Sequence, residues 1–534
     1  MNPNLILYNA KIYTVDPKRP FAEAVACHNG RFTAIGTNAD IKALAGDETE
    51  MIDVQGKLVL PGLTDSHVHF RSHAIYRQWV NLFGINDFDE AMALIKTAVS
   101  RAKPGEWVQG SGWGAEQWHT KPHRRILDAI APDNPVALGQ MDMHSWWVNS
   151  RALEIGNITA DTADLPESKI ERDADGTPNG ILREWNAINL VKSQIPLASE
   201  AEELAWMREA IAEAHQLGLT AVHDQRVENE GDVSLRRFQK LNHDGDLKLR
   251  IHHNIAAGYL AEAAQLGLQP GFGDDRLWLG HVKSFSDGAM GSRTALMIAP
   301  YDDEPENTGI AVTPAAELME LAAAAHAANF PLSIHAIGDL AVRNVLDAME
   351  SIPRRTDGMP HRIEHSQIMH PDDLSRLAAH GISTAVQPIH LETDWRIADV
   401  AWGDRARYTY AFRSLLDLGT VVAFGSDAPV APINPMWGIA AAITRQSLDH
   451  KPEGGWYPQE KVTMAEAIYA YTMAPAIIAD KQAVQGSITV GKWADIIVMN
   501  DDLFEMEETA VADATIAMTV FAGELVYESK KFAE

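Results

Sequence analysis

The middle of the chain alternates between strand-like and helix-like segments. Eight short apolar runs, each ending in polar residues, recur in the order LTDSHVHF, LTAVHDQ, LKLRIHHNI, LWLGHVKSFSDG, FPLSIHAIGD, HRIEHSQ, GISTAVQP and VVAFGSDAP. Helix-like stretches such as AAELMELAAAAHAANF lie between most of them. Near-continuous apolar runs are typical of parallel strands that are buried on both faces. Eight such strand–helix pairs predict an α/β fold, a (β/α)8 TIM barrel.

One gap interrupts this alternation. Roughly 150 residues separate His69 from the next strand at Leu219, whereas a βαβ unit needs only about 30. We therefore predict that residues 72–199 form a cap inserted after the first barrel strand. Its tryptophans favour either a small core of its own or an aromatic wall over the active site, with Trp113 as a candidate substrate contact: Trp79, Trp107, Trp113, Trp118, Trp146, Trp147 and Trp185.

Short strands are also indicated at both chain ends. The N-terminal stretch LILYNAKIYTV alternates apolar and polar residues, as a half-buried strand does. The C-terminal stretches GSITVGKWADIIVMN and ATIAMTVFAGELVYES have a similar character. We predict one composite β-sandwich domain from residues 1–60 and 480–534, which leaves residues 61–479 for the barrel and its cap.

Composition excludes several classes of protein. The 534 residues are 46% hydrophobic and 22% charged, which fits a globular fold with a large core and excludes disordered, collagen-like and disulfide-scaffold chains. Cys27 is the only cysteine, so a Cys-rich metal site is excluded. A net charge of −28 predicts repulsion from nucleic acid and anionic membranes. Without a leader-like N-terminus or a long apolar run, we expect a cytoplasmic protein; whether it forms a homodimer stays open.

Polar residues at the strand ends point to a metal centre. Catalytic groups of such barrels project from the C-terminal ends of the strands. The candidates there are imidazoles, a carboxylate and an amine: His67, His69, Lys283, His335, His365 and Asp427. Imidazole and carboxylate are ligands that suit Zn²⁺. The sequence therefore predicts one or two divalent metal ions, with zinc the preferred metal.

Lys283 needs a separate explanation, because an ammonium would be repelled by divalent cations. A desolvated lysine among cations loses its proton readily. The neutral amine can add carbon dioxide and become a carbamate, whose two oxygens can bridge two metals. The alternative is an ordinary ion pair between Lys283 and a nearby carboxylate such as Asp287.

These residues lie in motifs that resemble the amidohydrolase superfamily, in the branch (amidohydrolase family 3) that includes N-substituted formamide deformylases. LPGLTDSHVHF is similar to the opening metal motif of that family, and KSFSDGAMGSRTA, SIHAIGDLAV, RIEHSQ and FGSDAPV are similar to its later motifs. In the predicted cap, PHRRILDAIAPDNPVAL and DMHSWWVNSRAL also resemble this branch. The resemblance covers nearly the whole chain.

The resemblance implies a (β/α)8 barrel, a composite β-domain and a one- or two-metal centre. It further implies that His67 and His69 hold the first metal with Asp427. By the same resemblance, His335 and His365 would hold the second metal, and Lys283 would bridge the two.

The expected activity is hydrolysis of a carbon–nitrogen bond, a non-peptide amide, in a small molecule. Zn²⁺ lowers the pKa of water from about 15.7 to about 7, which makes a nucleophile available at neutral pH. Asp427 would take the proton of the attacking water and deliver it to the leaving nitrogen. A second metal or a nearby histidine, His144 or His390, would polarise the carbonyl oxygen, and Arg293 would hold a carboxylate or carbonyl of the substrate.

Each of these assignments has an alternative. His144 and His390 can be structural, and Arg293 can form a salt bridge within its own loop. Deamination of an aminated heterocycle on the same scaffold differs only in the leaving group. A non-catalytic regulatory relic is the remaining alternative, although a relic should have lost ligands and all six are present.

Overall fold

The structure is a computed structural model that describes residues 2–114, 118–140, 145–166, 168–225 and 230–533. The chain divides into two compact units, Met1–Phe70 with Arg208–Glu534 and Arg71–Met207. The first unit contains a nearly closed, eight-stranded parallel barrel and a β-sandwich, which confirms the predicted fold class.

The barrel strands follow one another in chain order, and each pairs with the next in parallel. They are β1 (Leu63–Val68), β2 (Leu219–Asp224), β3 (Arg250–Ala256), β4 (Leu277–Phe285), β5 (Leu332–Ala336), β6 (Arg362–His365), β7 (Ser383–Val386) and β8 (Val422–Phe424). Each of the eight apolar runs predicted as strands overlaps one of them.

Backbone hydrogen bonds at the C-terminal ends of β1 and β8 close the barrel. The N–H of Asp427 donates to the carbonyl of His67 at 2.7 Å, and the N–H of His69 donates to the carbonyl of Ala428 at 2.8 Å. Gly425 permits this approach, because a Cβ there would lie only 2.5 Å from the backbone nitrogen of His67. The closure brings His67 and Asp427 side by side.

Helices lie between the barrel strands and after the last of them. They are Val233–His243, Leu260–Gln265, Ala315–Ala327, Asp339–Glu350, Leu374–His380, Leu391–Trp402, Phe412–Asp417, Pro435–Thr444, Met464–Ala470 and Met473–Ile478. The helix Leu374–His380 ends where Gly381 adopts a φ of +67°, the left-handed conformation that glycine takes at helix ends. Within the described ranges, no helix is long and apolar enough to cross a lipid bilayer.

The β-sandwich uses strands from both chain ends. One sheet contains Arg31–Gly36, Ala24–His28, Leu5–Tyr8 and Glu50–Asp53. The other contains Glu524–Glu528, Ile516–Phe521, Ile496–Met499, Leu58–Pro61, Lys11–Tyr13 and Phe21–Ala22. The two ends meet where Leu58–Pro61 pairs antiparallel with Ile496–Met499. Buried residues from both ends, such as Leu7, Val59 and Val498, form one core.

The N-terminal stretch departs from its expected form. LILYNAKIYTV makes two strands in different sheets, Leu5–Tyr8 and Lys11–Tyr13, instead of one. Asn9 lies between them with a φ of +55°. This left-handed conformation, which asparagine tolerates better than most residues, breaks the extended chain.

The second unit has its own mixed sheet of six strands. In sheet order these are Lys169–Arg172, Pro178–Arg183, Ser145–Val148, Val136–Gln140, Val108–Trp113 and Val80–Asn81. Its helices include Phe88–Arg101, Arg124–Ile130, Ser150–Ile155 and Glu184–Lys192, and the helices Phe70–Tyr76 and Glu200–Gln216 contain its chain boundaries. Trp113, Trp118 and Trp147 share one buried cluster within this unit.

Candidate metal centre

Three buried side chains converge at the C-terminal ends of the barrel strands. One ligand atom each of His67, His365 and Asp427 lies within 4.8 Å of the others. His67 is on β1 and His365 ends β6, whereas Asp427 follows β8 in the loop. The strand order places these ends at one mouth of the barrel, which is why residues so distant in sequence meet.

The nitrogen and oxygen atoms around Asp427 are arranged so that one cation could be coordinated by them. Nε2 of His67 and Nε2 of His69 each lie 3.2 Å from Oδ1 of Asp427. This oxygen is buried and has no hydrogen-bond partner among the described residues. A buried carboxylate oxygen without a partner is costly, and a divalent cation between it and the imidazoles would satisfy it. The residues therefore fit a metal ion.

The backbone is strained at two of these positions. His365 has a φ of +71° and Asp427 a φ of +61°, values that residues other than glycine rarely adopt. Such conformations cost about 1–3 kcal/mol each and persist where the surroundings enforce them. Asp65 provides part of that enforcement, because it accepts the N–H of His67 at 3.0 Å and the hydroxyl of Ser426 at 2.5 Å.

Hydrogen bonds define which ring nitrogens are available to a metal. Nδ1 of His67 lies 2.5 Å from Oε2 of Glu364, and Nδ1 of His365 lies 2.7 Å from Oε1 of Gln387. Both oxygens can only accept in these contacts, so each Nδ1 carries the hydrogen. In a neutral ring with this tautomer, Nε2 has the lone pair that a metal ligand requires.

The electrostatic environment favours the metal-binding protonation states of His365 and Asp427, whereas the pKa of His69 is raised because the Asp427 carboxylate outweighs the effect of burial. Burial, together with the neighbouring His335 and His67, holds the pKa of His365 well below its usual value. Burial alone would raise the pKa of Asp427, but the nearby imidazoles, His67 above all, hold it well below its usual value. Neutral imidazole and ionised carboxylate are the forms that coordinate metals.

His335 lies beside this cluster, with its ring centroid 4.5 Å from that of His365. Its Nε2 lies 3.0 Å from the carbonyl oxygen of Gly288 and 3.4 Å from Oδ1 of Asp287. Burial and the charge of Lys283 lower its pKa to about 3, so the ring is neutral. His335 is thus adjacent to the three convergent residues, with one nitrogen occupied by the backbone.

Lys283 is 2% exposed, and its Nζ makes no hydrogen bond within the described part of the chain. It lies 4.7 Å from the centroid of the Phe285 ring. Burial lowers the pKa of this amine to about 8. The carboxylate of Asp287 instead accepts the N–H groups of Leu296, Ile337 and Gly338, at 2.8–3.0 Å. The alternative ion pair with Asp287 is therefore not the arrangement in this structure.

The four predicted substrate contacts have different surroundings. Arg293 forms the loop salt bridge that the sequence left open, with Nη2 2.6 Å from Oδ2 of Asp303. Trp113 is 4% exposed in the core of the second unit, and its indole N–H donates to the carbonyl of Leu138 at 2.8 Å. This position favours the structural interpretation of Trp113. His390 ends the 3-10 turn after β7, and its buried Nε2 has no partner in the described ranges. His144 lies outside the described residues.

Sequence reasoning did not identify Glu364, Gln387 or Asp65 as parts of the site. Strict alternation along β6 predicts that Glu364 and His365 face opposite sides of the sheet. The positive φ of His365 breaks that alternation, so both side chains reach the cluster. The available signal was the carboxylate directly before the ligand in RIEHSQ, since metal-binding histidines usually donate to a second oxygen.

Comparison with known proteins identifies the family of this chain. The amidohydrolase family profile matches residues 50–527. The chain is 33% identical to Protein LONG AFTER FAR-RED 3 from Arabidopsis thaliana, over 98% of this chain and 91% of that protein. It is 29% identical to an N-substituted formamide deformylase from Arthrobacter pascens, over 98% of each chain.

The fold also has a solved counterpart. The crystal structure of an uncharacterized metal-dependent hydrolase from Pyrococcus horikoshii is 26% identical, with a TM-score of 0.77, covering 94% of this chain and 99% of that one. The barrel and the convergent histidine–carboxylate cluster define a hydrolase of the metal-dependent type. The chain belongs to the amidohydrolase family, hydrolytic enzymes that act on carbon–nitrogen bonds.

Proposed function

We propose that this enzyme hydrolyses a non-peptide amide bond of a small molecule at a metal centre held by His67, His69, His365 and Asp427, with zinc as the metal. The observation that carries the proposal is the convergence of two imidazole Nε2 atoms on Oδ1 of Asp427, which has no hydrogen-bond partner among the described residues. The chemistry of this donor set, imidazole and carboxylate without thiolate, suits Zn²⁺.

The metal would supply two effects when bound: it lowers the pKa of water, and it polarises the carbonyl of the amide. The protein's own residues do the rest. Asp427 accepts the proton of the attacking water at its carboxylate and passes it to the leaving nitrogen. His390 is the candidate to hold the carbonyl oxygen by a hydrogen bond, because its Nε2 is buried after β7 and has no partner in the described part of the chain.

A second metal ion is part of the proposal, with His335 and Lys283 as its additional ligands. Three observations support a carbamate on Lys283: the amine is buried, it lacks a hydrogen-bond partner among the described residues, and burial lowers its pKa. An amine in that state can add carbon dioxide, since only the neutral form is nucleophilic. The resulting carbamate would supply two oxygens for metal ions where the described residues offer the amine no hydrogen-bond partner.

For the substrate class we propose N-substituted formamides and related small amides. The similarity to the Arthrobacter pascens deformylase, which extends over 98% of each chain, supports this choice. The products would then be formate and a primary amine.

The test is a substrate panel on zinc-loaded protein and on the same protein after removal of metal by a chelator. N-substituted formamides, other small amides and aminated heterocycles are compared for release of carboxylic acid, amine and ammonia. We expect metal-dependent release of formate and amine. Ammonia from heterocycles alone would establish the deaminase alternative, and metal binding without any turnover would favour the regulatory relic.

A further inference from the structure

We infer that Glu364 is a positioning residue that fixes the ring orientation and tautomer of His67. This inference rests on the proposed metal-dependent function. Glu364 lies on β6 one residue before His365, and its side chain is fully buried. A carboxylate without solvent contact needs a specific structural reason, because desolvation of the charge is expensive.

The carboxylate of Glu364 is held on three sides. Oε2 lies 2.5 Å from Nδ1 of His67 and accepts a hydrogen bond from Nη2 of Arg362 at 2.8 Å. Oε1 accepts the hydroxyl of Ser333 at 2.5 Å. Arg362 is itself fixed, since it also donates to the carbonyl of Ser66 at 2.7 Å. The acceptor that faces His67 therefore has little freedom to rotate away.

A fixed acceptor at Nδ1 has two consequences for His67. The hydrogen stays on Nδ1, and the lone pair of Nε2 points along the ring towards Oδ1 of Asp427, 3.2 Å away. A ring flip would lose a charge-assisted hydrogen bond, which is about twice as strong as a neutral one. Glu364 thereby prepares the ligand nitrogen before the metal arrives.

The equivalent contact of His365 differs in charge. Nδ1 of His365 donates to the amide oxygen of Gln387 at 2.7 Å, a neutral acceptor. A carboxylate behind an imidazole raises the basicity of the ligand nitrogen more than an amide does. With Glu364 behind it, His67 is therefore expected to bind a metal more strongly than His365 does.

The experiment compares Glu364→Gln with a matched control, Glu460→Gln. Glu460 is also buried and also accepts a serine hydroxyl at 2.5 Å, from Ser414, but it does not contact the cluster. Zinc affinity is measured by competition with a chromogenic chelator, and the absorption spectrum of the Co²⁺-loaded protein reports the ligand geometry. We expect about 10–100-fold weaker zinc binding and a changed Co²⁺ spectrum for Glu364→Gln. The Glu460→Gln protein should stay within threefold of wild type.

Glu364→Asp replaces Glu364→Gln if the latter does not fold by near-ultraviolet circular dichroism. It keeps a negative charge opposite Arg362 but withdraws the carboxylate from His67, so the same loss of affinity is expected. Wild-type zinc affinity in a folded Glu364 variant would overturn the inference and leave the proposed function standing. Weakened metal binding in an enzyme that hydrolyses no amide would leave the inference standing without the function. Wild-type protein that binds no divalent metal would overturn both.

Discussion

Two groups of histidines lie inside the same barrel and have opposite hydrogen-bonding patterns. His67 and His365 use Nδ1 for Glu364 and Gln387 and keep Nε2 for the cluster around Asp427. We call these the mouth histidines. The inner histidines, His223, His252 and His281, lie on β2, β3 and β4 and are equally buried.

Protein groups pair with both ring nitrogens of His252 and His281 and with Nδ1 of His223. The indole N–H of Trp278 donates to Nδ1 of His252 at 3.0 Å, so Nε2 of His252 carries the hydrogen and donates to Nδ1 of His281, also at 3.0 Å. His281 in turn donates from Nε2 to the carbonyl of Pro360 at 3.0 Å. Nδ1 of His223 accepts a hydrogen bond from Arg362.

The comparison teaches that burial and residue type do not identify a ligand. Both groups consist of buried imidazoles, and burial holds the pKa of His252 and that of His365 well below the usual value. What differs is the use of the second ring nitrogen: His252 and His281 pair both nitrogens with protein donors and acceptors, whereas Nε2 of His67 faces Oδ1 of Asp427. The hydrogen bonds of His252 and His281 end on the carbonyl of Pro360, whereas the mouth histidines lie around Oδ1 of Asp427, a buried oxygen with no hydrogen-bond partner among the residues described.

Among the tests of the contrast between mouth and inner histidines, the largest effect on activity is expected from substitution of Asp427. Asp427→Asn keeps the shape of the side chain but loses the negative charge and the proton acceptor. We expect turnover to fall by about 10³-fold or more with the fold intact, because general base catalysis and a charged ligand are removed together. Steady-state rates on the best amide substrate check this. Activity within tenfold of wild type would exclude Asp427 from the chemistry.

Metal content should separate the two groups directly. The double variant His67→Ala, His69→Ala should lose at least one equivalent of divalent metal in elemental analysis, because both rings face Asp427. His252→Gln is the control from the inner group, since the glutamine amide can accept from Trp278 and donate to His281. It should retain the full metal content. Equal metal content in both variants would refute the assignment of the mouth histidines as metal ligands.

Much of this site could be predicted from sequence because residues at the C-terminal ends of the barrel strands lie close together, however far apart they are in the chain. Once the runs LTDSHVHF, HRIEHSQ and FGSDAPV are placed on strands of one barrel, His67, His365 and Asp427 must lie at one mouth. Which histidines are satisfied depends on partners that no local pattern reveals. The link from Trp278 to His252 and from there to His281 is one example.

Other features depend on backbone conformation that the pattern does not encode. The positive φ of His365 brings Glu364 and His365 to the same cluster, against strand alternation. Asn9 splits an alternating stretch that resembles one strand. Arg293 could not be assigned either, because its partner Asp303 lies in the same long loop after β4 and the loop conformation decides the pairing.

Lys283 offers the next test, with Lys492 as its counterpart. Both lysines are buried, and burial lowers the pKa of each to about 8. Nζ of Lys492, however, donates to the carbonyl of Gln485 at 2.8 Å, whereas that of Lys283 has no partner among the described residues. We expect Lys283→Ala to lose about one metal equivalent and most activity, partly restored by an added short carboxylic acid. Lys492→Ala should keep its metal.

A crystal structure grown with zinc and bicarbonate gives a second measurement for Lys283. Density for a carbamate between two ions is the expected result. Density that ends at the lysine nitrogen, with one ion held by the histidines and Asp427, would show that the bridge does not form.

The smallest expected effect concerns the pH dependence of stability, which tests the inner histidines. Burial holds the pKa values of His223, His252 and His281 well below their usual value in the folded protein. As the pH falls below about 6.5, the unfolded chain takes up protons that the folded chain refuses, so the free energy of unfolding decreases. Each such histidine contributes a loss of up to about 1.4 kcal/mol per pH unit. Above about pH 6.5 this contribution should be constant.

His252→Gln removes one of these groups while a glutamine can preserve the hydrogen-bond chain, and His326→Gln on the exposed surface is the control. Urea unfolding of metal-free protein between pH 4.5 and pH 7.5 gives the free energy of unfolding at each pH. The slope below pH 6.5 should decrease by about 1.4 kcal/mol per pH unit in His252→Gln and stay unchanged in His326→Gln. An unchanged slope in His252→Gln would mean that His252 accepts a proton in the folded barrel. The contrast between the inner and the mouth histidines would then fail, because the folded protein would tolerate a positive charge on the inner imidazoles as it does at the metal ligands.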